Sequence, residues 1–166
     1  MTRVTVPGDT SGWFDLEPVS ALNPDHQDAY WELRDELVEA KRAALPPLAN
    51  PNPAVVAARD ERDVRLGRRD LTPLHGLVLT WVLDGSSYGI DTAALTAAAA
   101  EPDLAGRAAK LAAVASAERR RCTLPAWNKL VGALDDYHLA LLGVVPKEDT
   151  DATTTPISAT TSGEPA

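Results

Sequence analysis

Three histidines are the residues of this chain whose side chains could bind a metal or transfer a proton. They are His26, His75 and His138, and they lie far apart in the sequence. None belongs to an HExxH motif, a paired-histidine motif or a cysteine–histidine motif, the arrangements that bring metal ligands together. A catalytic histidine also needs a nucleophile or a carboxylate within reach. We therefore interpret all three histidines as structural.

The other reactive residue types give no catalytic pattern either. Two pairs of adjacent carboxylates occur, Asp60-Glu61 and Asp135-Asp136. Neighbours in a helix point about 100° apart, so neither pair can clasp one metal ion or one substrate group. Ser86-Ser87 lacks the G-x-S-x-G turn of a nucleophilic serine, and no glycine-rich loop leads into a Lys-Ser/Thr pair. We expect a protein that is not an enzyme, with no catalytic residue, no metal and no cofactor.

The elements that would position any site are predicted to be helices. Asn23-Pro24 begins the first helix, which should end near Leu45 before two prolines. Thr72-Pro73 opens the most apolar segment, a central core helix over residues 74–83. Asp84-Gly85 should end it, with Gly85 in a left-handed conformation. Three more helices are predicted over residues 91–100, 104–121 and 124–143, and we expect the last to pack against the central helix.

Three regions complete the predicted organisation. Residues 1–22 form an extended N-terminal arm with room for one short strand, anchored by Trp13. Residues 23–146 form the helical domain, in which residues 54–66 are a solvated helix or a partly ordered arm. Residues 147–166 are acidic and almost free of apolar side chains, which predicts a disordered tail. The predicted fold class is all-α, a compact bundle of about five helices.

Charge and composition narrow the class of partner. The chain has 16 Lys and Arg against 24 Asp and Glu, a formal net charge of −8. This excess of acidic residues opposes non-specific binding to nucleic-acid phosphates. Cys122 is the only cysteine, which excludes an intrachain disulfide. We expect no export signal and no membrane span, and therefore a location in the cytoplasm.

Residues 77–100 also suggest a helix-turn-helix, which would make the protein a transcriptional regulator. The helix that would read DNA, residues 91–100, contains no Arg, Lys, Asn or Gln to contact bases or phosphates. The basic clusters are Arg68-Arg69 and residues 119–121. We interpret them as helix-end charges or as patches that contact protein. A regulator is therefore a minor alternative.

Large apolar side chains are the remaining candidates for function. Trp31 lies off the apolar stripe of the first helix, and Val38 follows it seven residues later on the same side. Together they form a possible second apolar face, unless the N-terminal arm covers Trp31. Trp13 and Phe14 give the arm its own apolar group. We predict that Trp13, Phe14, Trp31 and Val38 bind a protein partner.

The layout of these residues resembles a known group of phage proteins. The features are Pro7-Gly8, the segment Gly12 to Leu16, the core helix from Leu77 to Leu83 with Trp81, and the short helix capped by Asp91. Together they resemble tail assembly chaperones of actinobacterial tailed phages over about residues 7–142. The resemblance implies a helical protein of the host cytoplasm that keeps the tape-measure protein soluble during tail morphogenesis. A structural component retained in the virion tail or connector is the alternative, and homo-oligomers remain possible.

Overall fold

A computed structural model describes residues 1–144 of the chain, and it begins with a small β-sheet. Strand β1 (Thr2–Thr5) pairs antiparallel with β2 (Trp13–Leu16), and β2 pairs antiparallel with β3 (Leu83–Ser86). The strand order is β1-β2-β3, with Val4 opposite Phe14 and Phe14 opposite Ser86. The arm predicted over residues 1–22 is therefore a hairpin built into a three-stranded sheet.

The hairpin turn brings Tyr88 against the backbone at Gly12. Gly8 lies in the turn with a φ of 79°, a conformation that favours glycine. Tyr88 donates a hydrogen bond of 2.8 Å to an oxygen of Asp9. A Cβ atom at Gly12 would lie 2.2 Å from the Tyr88 hydroxyl, so only glycine admits this contact. The contact of Tyr88 with Asp9 and Gly12 thus holds the hairpin turn against the loop after β3.

The expected role of Gly85 as a left-handed helix end is wrong. The glycines with positive φ in residues 1–144 are Gly8, Gly89 and Gly143. Gly85 instead lies in β3 opposite Asp15, and the chain becomes extended at Leu83. Local sequence shows a helix stop at this point, but the free edge of β2 decides that the chain continues as a strand.

The helices make up most of the described chain, as predicted. Their bounds are α1 Pro24–Ala44, α2 Pro53–Asp63, α3 Thr72–Val82, α4 Thr92–Ala99, α5 Leu104–Arg119, α6 Leu124–Ala133 and α7 Asp135–Leu141. A 3-10 turn, Val19–Ala21, precedes α1. Asn23 caps α1 by accepting the N–H of His26 at 3.0 Å, while His26 Nδ1 accepts the N–H of Asn23. Helix α2 buries no residue, which agrees with a solvated helix.

The last predicted helix is divided into α6 and α7 at Leu134. The N–H of Leu134 is shared between the carbonyls of Leu130 and Val131, each at 3.1 Å, which tightens one turn. Gly143, with a φ of 73°, follows the end of α7 as expected. Helix α7 lies against α1, whereas the most extensive contacts of α3 are with α5 and α4. The last predicted helix thus shares the core of α3, where His138 of α7 meets His75, but its α7 half also packs on α1, which was not expected.

The core is centred on α3, which is buried along almost its whole length. Leu74, Val78, Leu79 and Val82 are completely buried. At Gly76, α3 approaches α5 so closely that a Cβ would lie 3.3 Å from the carbonyl oxygen of Leu111. No helix within residues 1–144 is long and apolar enough to cross a membrane. The tail predicted over residues 147–166 lies outside the described residues.

Candidate functional site

Two of the predicted surface residues lie on opposite faces of the sheet. Phe14 is completely buried and stacks on Tyr88 with ring centroids 5.2 Å apart. Phe14 is therefore a core residue and cannot dock a partner. Trp13 points to the other face, because successive strand residues alternate. There the guanidinium of Arg3 covers its ring at 4.3 Å, while Arg3 also pairs with Asp15.

Trp31 is the predicted surface residue that the structure leaves most available. The residue is 37% exposed, yet its indole N–H donates a 3.1 Å hydrogen bond to the carbonyl of Leu141. The Arg34 guanidinium lies 5.2 Å from the ring. The end of α7, on which the ring rests, thus fixes its orientation. Val38 is half-buried two turns further along the same side of α1.

The structure also joins two histidines that the sequence analysis treated separately. Tyr30 Oη and His138 Nδ1 are 2.8 Å apart, a hydrogen-bond distance. The ring of His138 meets that of His75 edge-on, with centroids 5.1 Å apart. Burial, with a smaller effect from His75, lowers the pKa of His138 to about 4. Burial likewise lowers the pKa of His75, against an opposing effect of Asp135. Both imidazoles are therefore neutral near pH 7.

Few hydrogen bonds hold this buried group. Within residues 1–144, His138 Nδ1 bonds only Tyr30, and His138 Nε2 is buried without any hydrogen-bond partner. The same part of the chain contains no group of three or more His, Cys, Asp or Glu placed to hold a metal ion. No spacing rule could have revealed the cluster, because Tyr30, His75 and His138 come from three different helices.

His75 also faces a cleft of about 330 Å³ that is rich in arginine. We call this the arginine cleft. Its walls come from the loop before α3, from α3, from the end of α5 and from α6. The lining residues are Arg68, Arg69, Thr72, His75, Ala115, Ser116, Arg119, Leu124, Trp127, Asn128 and Val131. Arg68 and Arg69 of one basic cluster and Arg119 of the other thus line a single concave surface.

The loop that carries Arg68 and Arg69 is held by hydrogen bonds on both sides. Asp70 accepts the backbone N–H of Gly67 at 2.7 Å and forms a 2.7 Å ion pair with Lys41 of α1. The hydroxyl of Thr72 donates to the carbonyl of Arg69 at 2.9 Å. These bonds fix the backbone from which the two guanidinium groups project. Lys41 and Asp70 are therefore supporting residues that sequence reasoning did not single out.

Arg119 reaches the cleft from the C-terminal end of α5. The adjacent buried Glu118 does not neutralise it, because Glu118 accepts the N–H of Asp91 at 3.0 Å and pairs with Arg121 at 3.4 Å. Within residues 1–144, no carboxylate forms an ion pair with Arg68, Arg69 or Arg119.

No protein-family model, curated protein or solved structure matches the chain.

Proposed function

We propose that this protein is a non-catalytic assembly factor that binds a helical protein partner through an apolar surface centred on Trp31. The observation that carries the proposal is the combination of exposure and fixed orientation at this residue. Trp31 remains 37% exposed while its indole N–H already donates to the carbonyl of Leu141. A partner could cover the ring without leaving a polar group unpaired.

The energetics favour Trp31 as an anchor. Tryptophan is enriched among the residues that dominate protein interfaces, because a large rigid ring removes much apolar surface from water. The hydrogen bond to Leu141 and the neighbouring Arg34 restrict the ring before binding. Little conformational entropy is then lost when a partner packs against it. Val38, on the same side of α1, extends the apolar surface along the helix axis.

The resemblance to phage tail assembly chaperones suggests which partner this would be. We propose the tape-measure protein of a phage tail, whose long helices need cover until tail subunits polymerise around them. The acidic charge of −8 supports such a role, since mutual repulsion keeps complexes soluble. The host cytoplasm would be the place of action.

Co-expression with a phage-tail tape-measure protein tests the proposal. We expect the two proteins to purify together and the tape-measure protein to become more soluble. Trp31→Ala should reduce the recovered complex, and Val55→Ala is the matched control, because Val55 is 43% exposed on α2. Thermal melting of both variants checks that they fold. Unchanged recovery with Trp31→Ala, or no complex with the unmodified chain, would refute the proposal.

The alternative of a structural component predicts a different location at the end of assembly. Mass spectrometry of purified particles separates the two, because an assembly factor leaves the mature virion and a structural component stays. The regulator alternative has less support. The connection between α3 and α4 spans residues 83–91 and contains β3, whereas a helix-turn-helix uses a turn of about three to four residues. A mobility shift at moderate salt would test it.

A further inference from the structure

The arginine cleft is a concentration of positive charge on a chain whose net charge is −8. Arg68, Arg69 and Arg119 come from two separate segments and are all exposed. Like charges gathered at one cleft repel each other, and no carboxylate of residues 1–144 forms an ion pair with any of these three arginines. The α5 dipole favours Arg119 at its helix end, but it does not account for Arg68 and Arg69. Their placement is best explained by an anionic ligand.

Apolar surface lies directly beside these charges. Leu124 is 61% exposed at the start of α6, and it lines the arginine cleft together with Trp127. A second hollow of about 430 Å³ shares Ser116, Arg119, Leu124 and Trp127 with the cleft and adds Arg120. The two hollows therefore adjoin, and together they form one surface, the arginine groove, in which guanidinium groups lie beside apolar side chains. This continuity extends the binding surface beyond the size of a single small anion.

We propose that this groove docks an acidic, amphipathic segment of a partner protein, whose carboxylates pair with Arg68, Arg69 and Arg119 while an apolar side chain covers Leu124. Guanidinium groups match carboxylates in geometry and can bind them with two parallel hydrogen bonds. The exposed Leu124 has no role in holding a free inorganic anion, which favours a peptide. The excess of acid over the whole chain opposes nucleic acid.

This inference deepens the proposed function, since it names the chemistry of a protein partner, but it uses a surface different from Trp31. The arginine groove is formed by the loop before α3 and by α3, α5 and α6, whereas Trp31 lies on α1 against the end of α7. The two surfaces can therefore be altered independently.

A binding measurement with defined peptides tests the proposal on the full chain. The probe is a fluorescently labelled 18-residue helical peptide with glutamates one turn apart around two leucines. Its control has glutamine at every glutamate position. Fluorescence anisotropy should show binding of the acidic peptide, weakening by about tenfold between 0.05 and 0.5 M NaCl, and no binding of the glutamine peptide. No binding of the acidic peptide, or equal binding of both peptides, would overturn the proposal.

Charge variants locate the site. The double variant Arg68→Gln/Arg119→Gln should weaken peptide binding by about tenfold, since each exposed ion pair contributes up to about 1 kcal/mol. The matched control Arg62→Gln/Lys110→Gln removes the same charge from exposed residues elsewhere and should bind as the unmodified chain does. Equal weakening in both double variants would show a general charge effect and would overturn the site. Both variants should melt at the temperature of the unmodified chain.

Two further probes separate ligand classes. Leu124→Ala should weaken the acidic peptide about threefold and should leave competition by inorganic phosphate unchanged, because only the peptide uses the apolar surface. A single-stranded oligonucleotide that binds more tightly than the peptide would overturn the proposal in favour of nucleic acid. If Trp31→Ala abolishes the tape-measure complex while Arg68→Gln/Arg119→Gln leaves peptide binding intact, the proposed function stands and this inference fails. The reverse result refutes the proposed function and keeps the groove.

Discussion

Mild acid should destabilise this protein through His138. Its pKa is lowered from the ordinary 6.5 to about 4, because the ring is buried between Tyr30 and His75. A histidine with a lowered pKa binds a proton less readily in the folded chain than in the unfolded chain. Its contribution to stability is therefore complete above pH 6.5 and declines as the pH falls toward 4.

The size of the effect follows from the two pKa values. With 6.5 for the unfolded chain and about 4 for the folded chain, the loss is about 2 kcal/mol at pH 5 and about 3 kcal/mol at pH 4. His75, whose pKa is also lowered, acts in the same direction. Four carboxylates also have a lowered pKa, namely Asp9, Asp15, Asp63 and Asp70. Their contribution to stability is lost only as the pH falls below the ordinary pKa of 3.8. The range from pH 6.5 to 5 therefore reports on buried histidine.

Urea unfolding followed by circular dichroism at pH 7.5, 6 and 5 measures this effect. The unmodified chain should lose about 2 kcal/mol between pH 7.5 and 5. His138→Gln cannot titrate and should lose markedly less over the same interval, although it starts less stable because the Tyr30 hydroxyl loses its partner. Leu37→Ala, a partly buried position on α1, should be destabilised yet keep the slope of the unmodified chain. A flat profile for the unmodified chain, or the same slope in His138→Gln, would refute the reasoning.

Further predictions concern packing and chemistry away from that cluster. Gly76→Ala should destabilise the fold by about 1 kcal/mol or more, because the new methyl group crowds α5. Gly132→Ala has open space around the new methyl group and should stabilise the fold by about 0.5 kcal/mol. Paired urea titrations check both variants. Glu118→Ala should cost about 1–3 kcal/mol, since the N–H of Asp91 loses its acceptor, and equal stability in a thermal melt would contradict this role. The pKa of the Cys122 thiol is raised by burial from 9.0 to about 11. Iodoacetamide should therefore alkylate it about a hundredfold more slowly at pH 8 in the folded chain than in urea.

Sequence alone was sufficient for the helices whose ends are set by nearby residues. Asn23, Asp91, Asp103 and Thr123 each cap a helix by accepting a backbone N–H within the next three residues. Such signals act over a single turn, so they can be recognised without knowing the rest of the fold. The mainly helical class and the helix starts followed from them.

Strand β3 could not be predicted in this way. Residues 83–86 contain an Asp-Gly pair that normally ends a helix, and nothing within the segment favours a strand. The segment is extended because β2 offers it backbone partners from a point about seventy residues earlier in the chain. The same pairing buries Phe14 and leaves Trp13 outside, which divides two neighbours that the sequence analysis had treated as one surface.

The candidate sites depend even more on tertiary structure. Helical periodicity was enough to single out Trp31. It could not show that the end of α7 would lie beside the ring, since only the N-terminal arm was considered as its cover. Tyr30 and His138 meet across 108 residues of chain, and Arg68 and Arg119 come from separate segments yet line one cleft. Local sequence determines which backbone conformation each segment prefers. Only the burial of the shared core determines which distant side chains become neighbours, because that burial is a property of the whole chain.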